Sequence, residues 1–119
     1  MSHPLLSVIL ATPGGYHTVR KTVSHLRSQT ACGSLELILV GPPQALQDLE
    51  VEELTGFARY QVVRIEKFQS IGQANAAGIR QAAASIVALA EDHCFPDPHW
   101  AENLIAAHQG SWAAVGPGV

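Results

Sequence analysis

"SIGQANAAGIRQAAASIVALAEDH", residues 70–93, reads as one helix-to-strand unit, and its reading decides the fold. Ser70 and Gln73 form a capping-box pattern, in which side chains satisfy the free N–H groups of a first helical turn. Ile71, Ala74, Gly78 and Ala82 then recur along one helical face. Residues 85–90 ("SIVALA") follow as a short run that is apolar on both faces, as a strand covered by helices must be. The run ends abruptly in Glu91, Asp92 and His93, with Cys94, Asp97 and His99 close behind. Only 14% of the chain is charged. Proton- and metal-active groups are therefore concentrated where a buried strand ends.

The same alternation extends outward. Residues 5–11 ("LLSVILA"), 35–40 ("LELILV"), 60–65 ("YQVVRI") and 112–115 ("WAAV") read as further strands. Val19, Val23 and Leu26 have helical spacing. Leu46, Leu49 and Leu54 mark a second helix, with Pro43 suited to its first turn. Asp97 as N-cap and Pro98 at the first helical position open a last helix, which carries Trp100, Leu104 and Ile105 and ends at Gly110. Strands alternating with helices predict right-handed βαβ units. The expected class is α/β, a mostly parallel sheet with helices on both faces. Ligands of such sheets sit outside the carboxyl ends of the strands. The loop after the first strand ("ATPGGYH") and the acidic stretch after the fourth are the candidates; His17 and His25 carry no signal of their own.

Composition narrows the class. A chain of 119 residues, 47% hydrophobic, suits one domain with a modest core. Seven basic against ten acidic residues, with no Lys/Arg cluster, exclude a nucleic-acid partner. The longest apolar runs are about seven residues, too short for a transmembrane segment, and the start lacks a signal-peptide pattern. Cys32 and Cys94 form no CxxC and read as reduced thiols of a cytoplasmic protein. No GxGxxG follows the first strand, no GxxxxGK[ST] occurs, and no GxSxG is present.

Taken together, these segments resemble the N-terminal half of a family 2 glycosyltransferase of the GT-A, Rossmann-like fold. "LLSVILATPGGYHTVRKTVSHLRSQT" is similar to the family's opening strand, its Thr-containing loop and the helix ending in Gln-Thr; Thr12 and Gln29 fall at the expected places. Residues 70–93 resemble the stretch written NxGxxxARNxGxxxAxGxxxxxLDxD, with Gly72, Ala74, Asn75, Gly78 and Ala82 in register. Glu91 then holds the first acidic position of the DxD motif and His93 the second. "FPDPHW" is similar to the Pro-rich turn and helix that follow.

The resemblance implies that residues 1–119 form a nucleotide-diphospho-sugar-binding domain, a fragment of a longer glycosyltransferase domain. The partners implied are that donor and an acceptor of unknown class, whether saccharide, lipid or protein. By resemblance Thr12, Pro13, Gly72, Asn75 and Asp92 contact the donor, and Glu91 and His93 hold a divalent metal. A cation there neutralises the charge of a leaving diphosphate. Carboxylate alone suits Mg2+; carboxylate with imidazole suits Mn2+ better.

Three departures stand out. The loop after the second strand is "VGPPQ", without the family's base-contacting carboxylate. The DxD reads Glu-Asp-His. The acceptor-binding half with its catalytic base does not follow, so the chain alone is expected to transfer sugar poorly. Self-association through uncovered apolar surface near Trp112 is also expected. Two other readings remain open: a non-catalytic module that binds nucleotide or a partner, and a zinc site built from His93, Cys94, Asp97 and His99.

Overall fold

In the computed structural model, residues 3–91 and 94–108 are described. Four strands, β1 (Leu6–Ala11), β2 (Leu35–Gly41), β3 (Arg59–Arg64) and β4 (Val87–Ala90), form one parallel sheet in the order β3-β2-β1-β4. Helix α1 (Arg20–Arg27) joins β1 to β2 and α2 (Ile71–Ile79) joins β3 to β4, while α3 (Trp100–His108) follows β4. The α/β class with helices on both faces is confirmed. The fifth strand expected at residues 112–115 and the helix end expected at Gly110 lie outside the described residues.

Strand periodicity sorts the core into two layers, because alternate side chains point to opposite faces. Leu6, Val8 and Leu10 of β1 join Leu35, Leu37 and Leu39 of β2 against Val23 and Leu26 of α1 and Ala101, Leu104 and Ile105 of α3. On the other face Ile9, Ala11, Ile38 and Val40 meet Ala74 of α2. A Cβ at Gly78 would run into Ile9 and lie 3.1 Å from Val40 Cγ2, so glycine lets α2 lie close on the sheet. Both caps read in the sequence form. Ser70 Oγ accepts from Gln73 N (3.1 Å) and Asp97 Oδ1 from His99 N (2.8 Å).

The second helix, expected from Leu46, Leu49 and Leu54, does not form. Two 3-10 turns, Pro43–Leu46 and Val51–Leu54, take its place. Leu46 and Leu54 are still buried, so the apolar spacing served the core without a continuous helix. Side chains of α1 hold this segment. Arg20 Nε donates to both oxygens of Glu53 (2.9 and 3.2 Å) and Arg20 Nη2 to Asp48 O (3.3 Å). Arg27 donates to Thr55 O and Oγ1 (3.1 and 3.2 Å).

One carboxylate lies inside the sheet. Glu36 is fully buried in a row that crosses three strands, opposite Ser7 on one side and Arg59 on the other. Its Oε1 accepts from Ser7 Oγ (2.7 Å) and Ala83 N (2.8 Å). Its Oε2 accepts from Gln61 Nε2 (2.7 Å) and faces Arg59 Nε (2.8 Å). Ser7 Oγ in turn accepts from Ala84 N (3.1 Å), so the network fastens the α2–β4 connection to the sheet. Burial acts to raise the Glu36 pKa. The bonds from Ala83, Ser7 and Gln61 and the charge of Arg59 outweigh it and hold the carboxyl below its ordinary range.

Replacing Glu36 with Ala strands several buried donors and should cost about 3 kcal/mol in chemical unfolding. The lowered folded pKa means that the stabilisation is complete above the ordinary value of 4.5. It is lost as pH falls through the lower folded value. The acid limb of the stability curve should therefore be shallower in Glu36→Gln than in the wild type; equal limbs would show that the network does not depend on the charge.

Candidate functional site

The strand order sets where a ligand can bind. The chain moves outward from β1 through β2 to β3, then returns over the sheet to place β4 on the other side of β1. The carboxyl ends at that reversal form the usual crevice of an open parallel sheet. Leu10 pairs with Ala90 and Ala11 with Val40, which brings the ends of β4, β1 and β2 to one edge. Three loops meet there: residues 12–15 after β1, 42–48 after β2, and the acidic stretch that begins at Glu91.

Thr12 and Gly41 lock the first two together. Thr12 is fully buried, its N–H and Oγ1 both donating to Val40 O (2.8 and 3.1 Å). A Cβ at Gly41 would collide with the Thr12 hydroxyl and lie 2.9 Å from Thr12 O. Thr12 thus sits beneath the site as a bracket, and Pro13 is the residue of this pair that lines open space.

That space is a cleft of about 540 Å³ between the two loops, within the roughly 300–1,000 Å³ range of small-molecule sites. Pro13, Gly14, Gly15 and His17 form one wall; Pro42, Gln44 and Asp48 form the other. Gly15 has φ 107°, a left-handed conformation that favours glycine. Its turn leads into a 3-10 turn, Tyr16–Thr18, closed by Thr18 Oγ1 donating to Gly15 O (2.7 Å). His17 N donates to Asp48 Oδ2 (3.1 Å), and His17 Nδ1 lies 3.6 Å from the same oxygen. Both side chains are substantially solvent-exposed, so Asp48 keeps acceptor capacity on the cleft side.

Asp48 and His17 are the residues that the sequence reading missed. A carboxylate was sought directly after the second strand. The carboxylate on the cleft wall, Asp48, lies seven residues beyond Gly41, because the connection turns back in 3-10 geometry and Arg20 fastens the Asp48 carbonyl.

The other expected site residues are distributed as follows. Glu91 continues from the end of β4 with an exposed side chain, and its carbonyl accepts from Cys94 N (3.0 Å). Asp92 and His93 lie outside the described residues. Asn75, in α2, has a buried Oδ1 with no hydrogen-bond partner among the described residues. Gly72 is exposed, and a Cβ there would meet nothing within 4 Å. Gly78 is a packing residue. Among the described residues, no group of three or more His, Cys, Asp or Glu side chains is placed to hold a metal ion, and Cys94, Asp97 and His99 do not come together as the zinc alternative needs.

Comparison with known proteins defines the class. The sequence matches the family model "Glycosyl transferase family 2" over residues 7–118. The chain belongs to glycosyl transferase family 2. Solved structures that share its fold include two of TarS. TarS of S. aureus matches with a TM-score of 0.66 at 16% identity, covering 88% of this chain and 20% of that one. S. aureus TarS 1–349 matches with a TM-score of 0.70 at 19% identity, covering 88% and 33%. The chain therefore spans a third or less of these two structures. No curated protein sequence matches it. The GT-A, Rossmann-like arrangement is the fold these findings support. No helix among the described residues is long and apolar enough to cross a membrane.

Two glycines separate scaffold from site. Gly41→Ala must push Thr12 aside and should destabilise by about 1–3 kcal/mol. Gly72→Ala meets no atom and should stabilise by about 0.5 kcal/mol. Thermal unfolding of the two variants checks both signs.

Proposed function

We propose that the chain binds the nucleotide-diphospho-sugar donor of a glycosyl transfer reaction, with the acceptor, whether saccharide, lipid or protein, engaged by parts of the enzyme beyond these residues. The observation that carries this reading is the layout of the carboxyl edge. An open cleft with an acidic wall lies over β1 and β2, and an exposed carboxylate, Glu91, lies at the end of β4 on the other side of β1. Neighbouring strands are about 4.8 Å apart, so β2 and β4 are separated by about 10 Å. A ligand with a flat polar head at one end and an anionic diphosphate further along suits that layout.

In this reading the nucleobase enters the cleft beside Pro13. Asp48 accepts from a ring N–H, the part that the family gives to a carboxylate directly after the second strand. Thr12 holds the cleft floor. Asn75 and Gly72 approach the donor from α2, and Asp92 contacts it from the acidic stretch. A divalent cation, Mn2+ or Mg2+, would be held by Glu91 and His93, a carboxylate and imidazole pair that suits Mn2+ better. Such a cation supplies charge neutralisation at the departing diphosphate. The unpaired Oδ1 of Asn75 supports a ligand role for that residue, since a buried acceptor without a partner is costly unless something binds it. Reduced Cys32 and Cys94 agree with a cytoplasmic location. Half-exposed Leu89 and the apolar cleft of about 200 Å³ between β4 and Trp100 support self-association.

The test is a thermal-shift series with UDP and GDP, each with and without Mn2+. A ligand at 100 times its dissociation constant stabilises by about 2.7 kcal/mol. Asp48→Ala should weaken the nucleotide about tenfold with or without metal, the loss of one hydrogen bond to a charged acceptor. Glu91→Ala should remove only the metal-dependent gain. If neither nucleotide shifts the wild type under any condition, the donor-binding reading is wrong. Residues 1–119 alone should show little sugar transfer, and efficient turnover would show that the catalytic base lies within them.

A further inference from the structure

Arg20 opens α1 soon after the loop that forms one wall of the β1–β2 cleft, and its side chain is bonded to the other wall. Its guanidinium carbon lies 5.1 Å from the centroid of the Tyr16 ring. Tyr16 is fully buried and starts the 3-10 turn that follows Gly15, so it gives the guanidinium a fixed seat on the first wall. From that seat Nε donates to both oxygens of Glu53 (2.9 and 3.2 Å), and Nη2 donates to Asp48 O on the second wall (3.3 Å). One planar group thus touches Tyr16, Glu53 and Asp48 at once. A lysine cannot copy this, because its ammonium is a point charge on a flexible stem and lacks the rigid fork of donors.

The second wall needs such a clasp. Two 3-10 turns, Pro43–Leu46 and Val51–Leu54, are joined by residues 47–50, and Asp48 lies in that joint with an exposed side chain. Leu46, Leu54 and half-buried Leu49 anchor the segment to the core. Apolar contacts have no direction, so they do not fix which way Asp48 turns. Two hydrogen bonds across the cleft do. Arg20 holds the Asp48 carbonyl, and His17 N donates to Asp48 Oδ2 (3.1 Å). With Oδ2 engaged, Oδ1 is the oxygen left for a ligand. The Arg20–Glu53 pair is partly exposed, at 44% and 26%. Pairs of that kind contribute little to stability, so the worth of the clasp lies in placement.

We propose that Arg20 is a positioning residue for the nucleotide cleft. It touches no part of the donor. By clasping Asp48 to the Tyr16 wall it sets the width of the cleft and the place of the carboxylate that meets the base. The inference rests on the donor-binding reading above, and only on its metal-independent half.

The experiment titrates UDP and GDP, without metal, into the folded protein well below its melting temperature. Asp48→Ala sets the scale, a loss of about tenfold. Arg20→Met keeps an unbranched stem and loses the fork; Arg20→Lys keeps the charge and loses the fork. Both should weaken the nucleotide by about five- to tenfold, close to Asp48→Ala, with little change in melting temperature. Added to Asp48→Ala, Arg20→Met should cost less than about twofold more, because a residue that acts only through Asp48 then has nothing left to place. Full affinity in Arg20→Met overturns the proposal and leaves the donor reading intact. Full affinity in Arg20→Lys overturns it as well, since charge alone would then suffice. Additive losses in the double variant do the same, because Arg20 would then act on the nucleotide by a route other than Asp48. Should Arg20→Met fail to fold, Glu53→Gln removes the charge that aims the guanidinium and should lose part of the affinity; an unchanged affinity there overturns the proposal equally. A wild type that binds neither nucleotide refutes the donor reading itself, and the inference with it.

Discussion

Everything in this molecule hangs on the parallel pairing of β1 with two neighbours. All six of its residues are buried, so its side chains must be apolar on both faces apart from the bonded Ser7. Parallel strands cannot be joined by tight turns; each connection must cross a face of the sheet. That requirement creates the two helical layers. It also delivers each strand's following loop to the same carboxyl edge. The candidate site is thus a by-product of strand direction: Pro13, Asp48 and Glu91 come from distant parts of the sequence and lie along one edge because β2, β1 and β4 all point one way.

Two buried polar side chains finish what the apolar core begins. Glu36 and Gln29 both bind backbone N–H groups of later segments, Glu36 that of Ala83 before β4 and Gln29 that of Ala101 in α3. Burying such groups is costly unless their bonding capacity is filled. Glu36 meets this with four partners, and Gln29 uses both its donor and its acceptor. Apolar contacts alone would hold the helices on the sheet but would leave the connections free to slide. The polar bonds give each connection one position, which matters most where the connection carries a site.

The cleft wall at Asp48 shows the same logic on the surface. Arg20 and Arg27 of α1 reach across to residues 48–55 and satisfy carbonyls and side chains that a helix would have satisfied internally. With those groups bonded elsewhere, two short 3-10 turns can replace one helix without stranding the backbone. The turn so formed puts Asp48 against the His17 N–H and into the cleft. The loop "VGPPQ" itself holds no carboxylate, and the one on the cleft wall, Asp48, comes from further along the chain.

The sequence by itself determined the class. Short apolar runs, helical spacing and two N-caps were enough for a parallel α/β sheet, because periodicity and capping are local properties of the chain. The switch from "VALA" to Glu91 marked one side of the carboxyl edge for the same reason. Tertiary structure alone decided the rest. Leu46, Leu49 and Leu54 have helical spacing, yet cross-chain bonds from Arg20 and Arg27 made turns of that segment. Nothing local marks Glu36 as a buried residue; the presence of Ser7, Gln61 and Ala83 around it allowed it to be buried. Thr12 matched a family position, but its bonds to Val40 place it under the cleft rather than in it. His17, Asp48 and Gln29 acquire their roles from partners 31 to 72 residues away, and no local pattern encodes contacts over such separations.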